Sequence, residues 1–213
     1  RCMLSWTDDE NMQSSVTNSG NITLSENNGA TIGIFSFAND ENMQTSATNS
    51  GSITLSKNGN YAYGMYAYNE RSSAENSGTI NLSENTGADS MGMYSVSTNG
   101  LTNETTGVIT VDGNSGNSVH GMQGFGSPVN KGSITLSNNK DDVVCGITGR
   151  VQSTNYGTIT LENNGSNESV SFYYGLVSSL LNGEPINETT GKIFIKNNSS
   201  SVYGADKSFG MNL

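Results

Sequence analysis

Residues 76 to 82 read Asn-Ser-Gly-Thr-Ile-Asn-Leu and residues 91 to 94 read Met-Gly-Met-Tyr, and both pieces recur along the whole chain. The first is one copy of a module N-x-G-x-I-x-L that stands at Asn18 to Leu24, Asn49 to Leu55, Asn76 to Leu82, Asn130 to Leu136 and Asn155 to Leu161. Two variants, Asn103 to Val111 and Asn187 to Ile195, carry an inserted Glu-Thr-Thr and bring the copies to seven. Between 13 and 18 residues after each module's Gly comes a second module, at Gly33-Ile34, Gly64-Met65, Gly92-Met93, Gly121-Met122, Gly146-Ile147, Gly175-Leu176 and Gly204-Ala205. Successive first-module glycines are 25 to 34 residues apart, a period that belongs to stacked repeat architectures.

Within each module apolar and polar residues alternate, which is the period of a half-buried strand and not of a helix. Gly20, Ile22 and Leu24 share one face of the first strand. On the second, Tyr63, Met65 and Ala67 share a face, as do Met91, Met93 and Ser95. A strand with three inward residues cannot bury itself, but rungs stacked on one another make a continuous narrow core. The pattern therefore predicts an all-β, right-handed parallel β-helix (β-solenoid) of about seven rungs, as a single domain over residues 1–213, with two or three strands per rung. The right hand follows from the general preference of parallel crossovers. Seven rungs at about 4.8 Å make a rod roughly 34 Å long.

Three residues beyond the last apolar residue of every first strand stands an asparagine: Asn27, Asn58, Asn85, Asn114, Asn139, Asn164 and Asn198. Asn tolerates left-handed backbone geometry, and stacked amides hydrogen-bond from rung to rung, so a corner ladder in left-handed conformation is expected there. One longer repetition, Asp9-Glu10-Asn11-Met12-Gln13 returning as Asp40-Glu41-Asn42-Met43-Gln44, points to duplication at an offset of 31 residues. The same offset aligns Met3-Leu4-Ser5-Trp6 with Ile34-Phe35-Ser36-Phe37, so the chain begins mid-rung, and it ends on a Gly-Met-like stretch, Phe209 to Leu213. Uncapped solenoid ends offer open strand edges. Either the chain is a segment of a longer solenoid, or copies of it stack end to end, with Met3 and Trp6 at one end and Phe209 and Met211 at the other.

Only 32% of the residues are hydrophobic and 13% charged. That composition would suit a disordered tract, but disorder imposes no spacing rule, and here there is one. Nineteen acidic against nine basic residues give a formal charge of −10, which opposes nucleic acid or anionic lipid as a partner. No apolar run is long enough to cross a bilayer, and no signal peptide opens the sequence at Arg1, so no membrane insertion of this segment is expected. Cys2 and Cys145 have neither metal-site spacing nor the look of a disulfide framework.

No residue pattern points to catalysis, a metal or a cofactor. His120, the lone histidine, falls in the column of Ile32, Tyr63, Met91, Cys145 and Tyr174, which reads as a core ladder; a catalytic or ligating histidine needs partners that this column does not supply. Cys145 reads as a small buried hydrophobe. Acidic clusters at Asp8-Asp9-Glu10, Asp40-Glu41 and Asp141-Asp142 lack the spacing of an EF-hand or a calcium-binding β-roll, and read as solvated loop charge. A polysaccharide-cleaving site needs carboxylates converging on one groove, and nothing concentrates acids on one strand face.

With Met65 inward, Tyr66 and Tyr68 point outward, in columns shared with Phe35, Phe37, Tyr94 and Phe125. These six form a candidate binding strip for sugar or protein. Thr23, Thr54, Thr110, Thr135 and Thr160 make an outward threonine column, the kind of surface that ice-binding solenoids use, interrupted by Asn81 and Phe194. Sequons such as those at Asn21, Asn103 and Asn187 follow from composition alone.

The recurring Asn-Ser-Gly-Thr-Ile-Asn-Leu (76 to 82) and Gly-Met-Tyr (64 to 66 and 92 to 94) modules resemble passenger regions of bacterial autotransporters. That resemblance covers nearly the whole chain. It implies a β-helix on, or released from, a bacterial cell surface, serving as an adhesin or stalk toward a host or surface glycan or protein; that the chain is not an enzyme is expected from the residues, not from the resemblance. The signal sequence and membrane barrel of such proteins are not among these residues, which fits a processed passenger or a fragment. A self-assembling extracellular filament and an ice-binding solenoid are the alternatives.

Overall fold

The computed structural model describes residues 3–7, 13–39, 43–140, 143–165, 172–178, 183–198 and 202–205. Every regular element among them is a β-strand, and every strand pairs in parallel with its counterpart one rung away. The chain visits three sheets in turn. The first sheet has eight strands: Met3–Thr7, Thr31–Ala38, Ala62–Tyr68, Asp89–Ser95, Ser118–Gly124, Val143–Gly149, Phe172–Ser178 and Val202–Ala205. The second has seven, beginning Gln13–Asn18, Gln44–Asn49 and Ser72–Asn76 and shrinking to pairs such as Val129–Asn130. The third also has seven, from Asn21–Ser25 and Ser52–Ser56 through to Lys192–Lys196. This is a three-sheet parallel β-solenoid, close to the rung count that the repeat predicts.

The N-x-G-x-I-x-L module is the corner between the second and third sheets followed by the third-sheet strand. Its Ile and Leu columns point inward: Ile53, Ile80, Ile109, Ile134 and Ile159, with Leu55, Leu82, Leu136 and Leu161, are 0 or 1% exposed. They meet Ile34, Met65, Met93, Met122 and Ile147 of the first sheet in one continuous core. At the first and last third-sheet strands, Ile22, Leu24, Ile193 and Ile195 are only partly buried.

Both module glycines are required by close approach. A Cβ on Gly33 would stand 2.5 Å from Cγ2 of Ile53 and 2.6 Å from the carbonyl oxygen of Gly64 on the next rung. Gly64, Gly92, Gly121 and Gly146 repeat that crowding against Ile80, Ile109, Ile134 and Ile159. At the corner, a Cβ on Gly51, Gly78 or Gly157 would press into the backbone of the corner glycine one rung below, whereas Gly20, at the first corner, has nothing within 4 Å.

Two asparagine ladders run the length of the rod. The expected one joins Asn27, Asn58, Asn85, Asn114, Asn139, Asn164 and Asn198 by amide-to-carbonyl bonds of 2.8–3.1 Å. The second links the module's leading residues, Asn18, Asn49, Asn76, Asn103, Asn130, Asn155 and Asn187, at 2.7–2.8 Å. A side chain at a buried corner needs both donor and acceptor along the rod axis, and the amide alone supplies both in one planar group. The left-handed backbone is not at the first ladder's asparagines but one residue earlier. Glu26, Lys57, Glu84, Asn138, Asn163 and Asn197 have φ of 52–59°, and Gly113 has 66°. The ladder amide can only turn inward if the preceding residue reverses the chain.

A further correction concerns the column of Tyr63, Met91, His120 and Cys145, expected in the core. Gly64 and Met65 are both buried and consecutive, as are Gly92 and Met93, so the alternation slips by one at each glycine. Pairing runs Tyr63↔Met91 and then Met65↔Met93, stepping over it. Ala62, Val119 and Val144 are thereby the inward residues, and the Tyr63 column lies on the outer face. Two consecutive inward residues crease the strand, and the outward side chains on either side lean together. Met91, His120 and Cys145 are nevertheless buried, at 4, 7 and 1% exposure, as the sequence predicts, but outside the contiguous hydrophobic cluster of the rod.

Candidate functional site

The outer face of the first sheet carries the aromatic strip. Register places Leu4, Phe35, Tyr66, Tyr94, Gln123 and Thr148 in one column and Trp6, Phe37 and Tyr68 in the next. Phe35, Tyr66 and Tyr94 stack with centroids 5.0 Å apart. Phe37 stacks on Tyr68 at 5.4 Å. Tyr63, which the crease turns outward, joins them edge-on to Tyr66 at 5.5 Å and near Tyr94 at 5.2 Å. The strip is thus wider than the six residues expected from sequence, by Leu4, Trp6 and Tyr63. Leu4 and Trp6 are 54 and 53% exposed; Trp6, read from sequence as an end-stacking residue, is also part of this strip. Met3 points into the core, while Phe209 and Met211 lie outside the described residues.

Phe125 stands further along one of these columns. It follows Gly124, the partner of Ser95, so it continues the Phe37 and Tyr68 column, with Val96 between it and Tyr68. Its ring is covered by Arg150, whose guanidinium carbon lies 5.1 Å from the centroid. Mutual burial of the rings raises the phenol pKa values. Desolvation lifts Tyr66 to about 12, with Tyr94 and Tyr68 adding to it, and lifts Tyr63 and Tyr94, each with a smaller push from Asp89. The phenols stay neutral donors across the physiological range.

Beside the strip, His120 Nδ1 and Thr148 Oγ1 are 3.0 Å apart, and Thr148 donates to Cys145 Sγ at 3.1 Å. The thiol in turn donates to the Ile147 carbonyl at 3.3 Å. Burial lowers the His120 pKa to about 4 and raises that of Cys145 to about 12. Burial thus holds the imidazole neutral and the thiol protonated. Among the described residues no group of three or more His, Cys, Asp or Glu is placed to hold a metal, and all three acidic loop clusters fall outside the described residues. No helix among the described residues is long and apolar enough to cross a membrane.

Two shallow concavities flank these features. One, of about 430 Å³, lies over the second sheet between Gln13, Gln44, Ser46, Ser73, Arg71 and Asn99. None of the described residues that line it is a carboxylate. The other, of about 470 Å³, adjoins the strip at Phe37, Tyr68, Asn69, Glu70 and Val96. On the third sheet the threonine column is in register but broken at Asn81 and ends on Phe194. Asn103, in one of the sequons, is fully buried with its amide in a ladder, so that sequon is structural in the folded chain.

The fold and its exposed ring strip define a non-globular, repeat-built β-solenoid whose side faces are its accessible surfaces. Residues 10–107 match the family model of the BigA third pectate lyase-like domain. The match spans a little under half of the chain, from the first second-sheet strand to the fourth corner. It supports β-helix repeats of the kind found in a bacterial surface protein. No curated protein matches the chain, and no solved structure does.

Proposed function

We propose that this chain is a non-enzymatic β-solenoid of an extracellular bacterial surface protein, of the autotransporter-passenger type, that acts as an adhesive element through the aromatic face of its first sheet. The observation that carries the reading is the strip itself. Leu4, Trp6, Phe35, Phe37, Tyr66, Tyr68 and Tyr94 lie side by side on a rigid parallel sheet, several of them well exposed. Contiguous exposed apolar surface on a soluble rod is the signature of a contact face, and Tyr and Trp are the side chains that dominate such contacts. The match to a pectate lyase-like domain adds the surface-protein context.

The test is adherence of the purified chain to host cells and immobilised extracellular matrix, compared with a Phe35→Ser, Tyr66→Ser double variant whose fold is verified by circular dichroism. At least a tenfold loss of adherence is expected. Undiminished adherence sinks the reading, and release of unsaturated products from polygalacturonate by the wild-type chain would replace it with a lyase.

A further inference from the structure

The column Phe37, Tyr68, Val96, Phe125, Arg150 contains one gap. The residues preceding the last four, Ala67, Ser95, Gly124 and Gly149, are register partners, and the backbone N–H of Val96 and Phe125 donate to Ala67 and Ser95 at 3.1 and 3.0 Å. Tyr68 has Phe37 stacked on one face and Tyr66 at its edge. Phe125 has the Arg150 guanidinium against its ring. Between them the column holds only Val96, too small to fill the space between two rings. This differs from the neighbouring column, where Tyr66 is sandwiched between Phe35 and Tyr94 and has no free face.

Phe37, Tyr68 and Val96 line the concavity of about 470 Å³ whose rim includes Asn39, Asn69 and Glu70, and Phe125 stands beside Val96 one rung further on. That rim is held in place. Asn69 has a φ of 90°, its Nδ2 donates to the Ala38 carbonyl at 2.8 Å, and its Oδ1 accepts from the Glu70 N–H. The Glu70 carbonyl accepts from the Ser97 and Thr98 hydroxyls at 2.6 and 3.1 Å. A non-glycine residue in so rare a conformation, fastened from both sides, is the mark of a preorganised site.

Two rungs separate the flanking rings by about 9.6 Å. A planar group sandwiched between two rings needs only about 7–8 Å, two carbon contacts of 3.5–4.0 Å each. The excess of about 2 Å leaves room for a saturated six-membered ring, whose axial hydrogens make it thicker than a planar group. Aromatic walls offer faces to C–H groups, and the rim offers amide and carboxylate acceptors to hydroxyls. The residues lining the concavity include no lysine or arginine, and the chain's charge of −10 disfavours an anion. We propose that Tyr68, Val96 and Phe125, with the Asn39, Asn69 and Glu70 rim, form a subsite for one neutral pyranose of a glycan. This names the ligand class of the adhesive reading above and rests on it.

The test is saturation-transfer NMR on the whole chain with methyl glucoside, methyl galactoside and N-acetylglucosamine, and with N-acetylarginine amide as the planar cationic competitor. Transfer to at least one sugar is expected. Val96→Tyr, which completes the ring column with the side chain already used one rung below, should weaken binding at least tenfold while preserving the circular dichroism spectrum. Tyr68→Ala should do the same by removing a wall, and Tyr156→Ser, at an exposed ring outside the strip, should leave sugar binding within twofold. Silence with every sugar, preferential binding of the arginine amide, or full binding by Val96→Tyr overturns the subsite. If the subsite falls while adherence still depends on Phe35 and Tyr66, the adhesive reading survives with a protein partner. If sugars bind at Val96 while adherence ignores Phe35 and Tyr66, it is the strip reading that fails.

Discussion

Asn103 donates from its side-chain amide to the side-chain carbonyl of Asn130 at 2.8 Å, while its own carbonyl accepts the amide of Asn76 at the same distance. Both neighbours are fully buried, so neither can turn to water if Asn103 is lost. Asn103→Ala leaves a buried acceptor and a buried donor unpaired, at about 1–3 kcal/mol each. The expected loss is about 2–6 kcal/mol in urea unfolding, against no measurable change for Asn28→Ala at an exposed corner. Equal, small effects for both would mean that the ladder is a packing coincidence.

The corner glycines differ by position in a way that composition does not reveal. Gly78→Ala drives a methyl into the backbone of Gly51, whereas Gly20→Ala meets nothing within 4 Å. The first substitution should cost at least 1–3 kcal/mol by overpacking, and the second should stay within about 0.5 kcal/mol of wild type. Thermal or urea melts of the two variants decide it.

Glu84 holds a φ of 52° in a column that elsewhere uses Gly113, Asn138, Asn163 and Asn197. Left-handed geometry costs a non-glycine residue roughly 1–2 kcal/mol, and least for Asn. Glu84→Asn should therefore stabilise the chain by about 0.5–1 kcal/mol. Its ion pair with Lys57, at 3.9 Å and largely exposed, is too weak to reverse the sign. A lowered urea midpoint would refute the strain argument.

Acid should destabilise the rod through His120. Its pKa falls from 6.5 in the unfolded chain to about 4 in the fold, because the crease excludes water from the cation. Above pH 6.5 neither state is protonated and the residue contributes no pH dependence. Between pH 6.5 and 4 the unfolded chain takes up a proton that the folded chain refuses, so stability falls with decreasing pH, by about 3 kcal/mol in all. His120→Met, using the side chain of Met91 one rung away, should remove that part of the slope. Parallel pH profiles for variant and wild type would show that His120 is charged or solvated in the fold.

Much of this was legible in the residues. The seven N-x-G-x-I-x-L copies and their Gly-Met partners announce stacked rungs, the inward Ile and Leu columns, the ladder from Asn27 to Asn198, and outward rings at Phe35, Tyr66 and Tyr94. Period-2 alternation is a local property, and it is faithful as long as the strand stays flat. The second sheet was harder to see because its strands shrink to pairs such as Thr154–Asn155, too short to show a period. The slip at Gly64 and Met65 was invisible for a related reason: both residues are small or apolar, so nothing in their types says that the alternation pauses.

The sequence by itself determined that the chain is a parallel β-solenoid, because a repeated pair of half-buried strands can bury its apolar faces only by stacking. Tertiary structure alone decided which outward residues stand together. Loop lengths between rungs vary, so the column shared by Tyr68, Val96 and Phe125 exists only once backbone hydrogen bonds set the register. The crease that hides His120 and gathers Tyr63 to the strip follows from glycine packing against isoleucine across the core, an interaction between residues that are not neighbours in the chain.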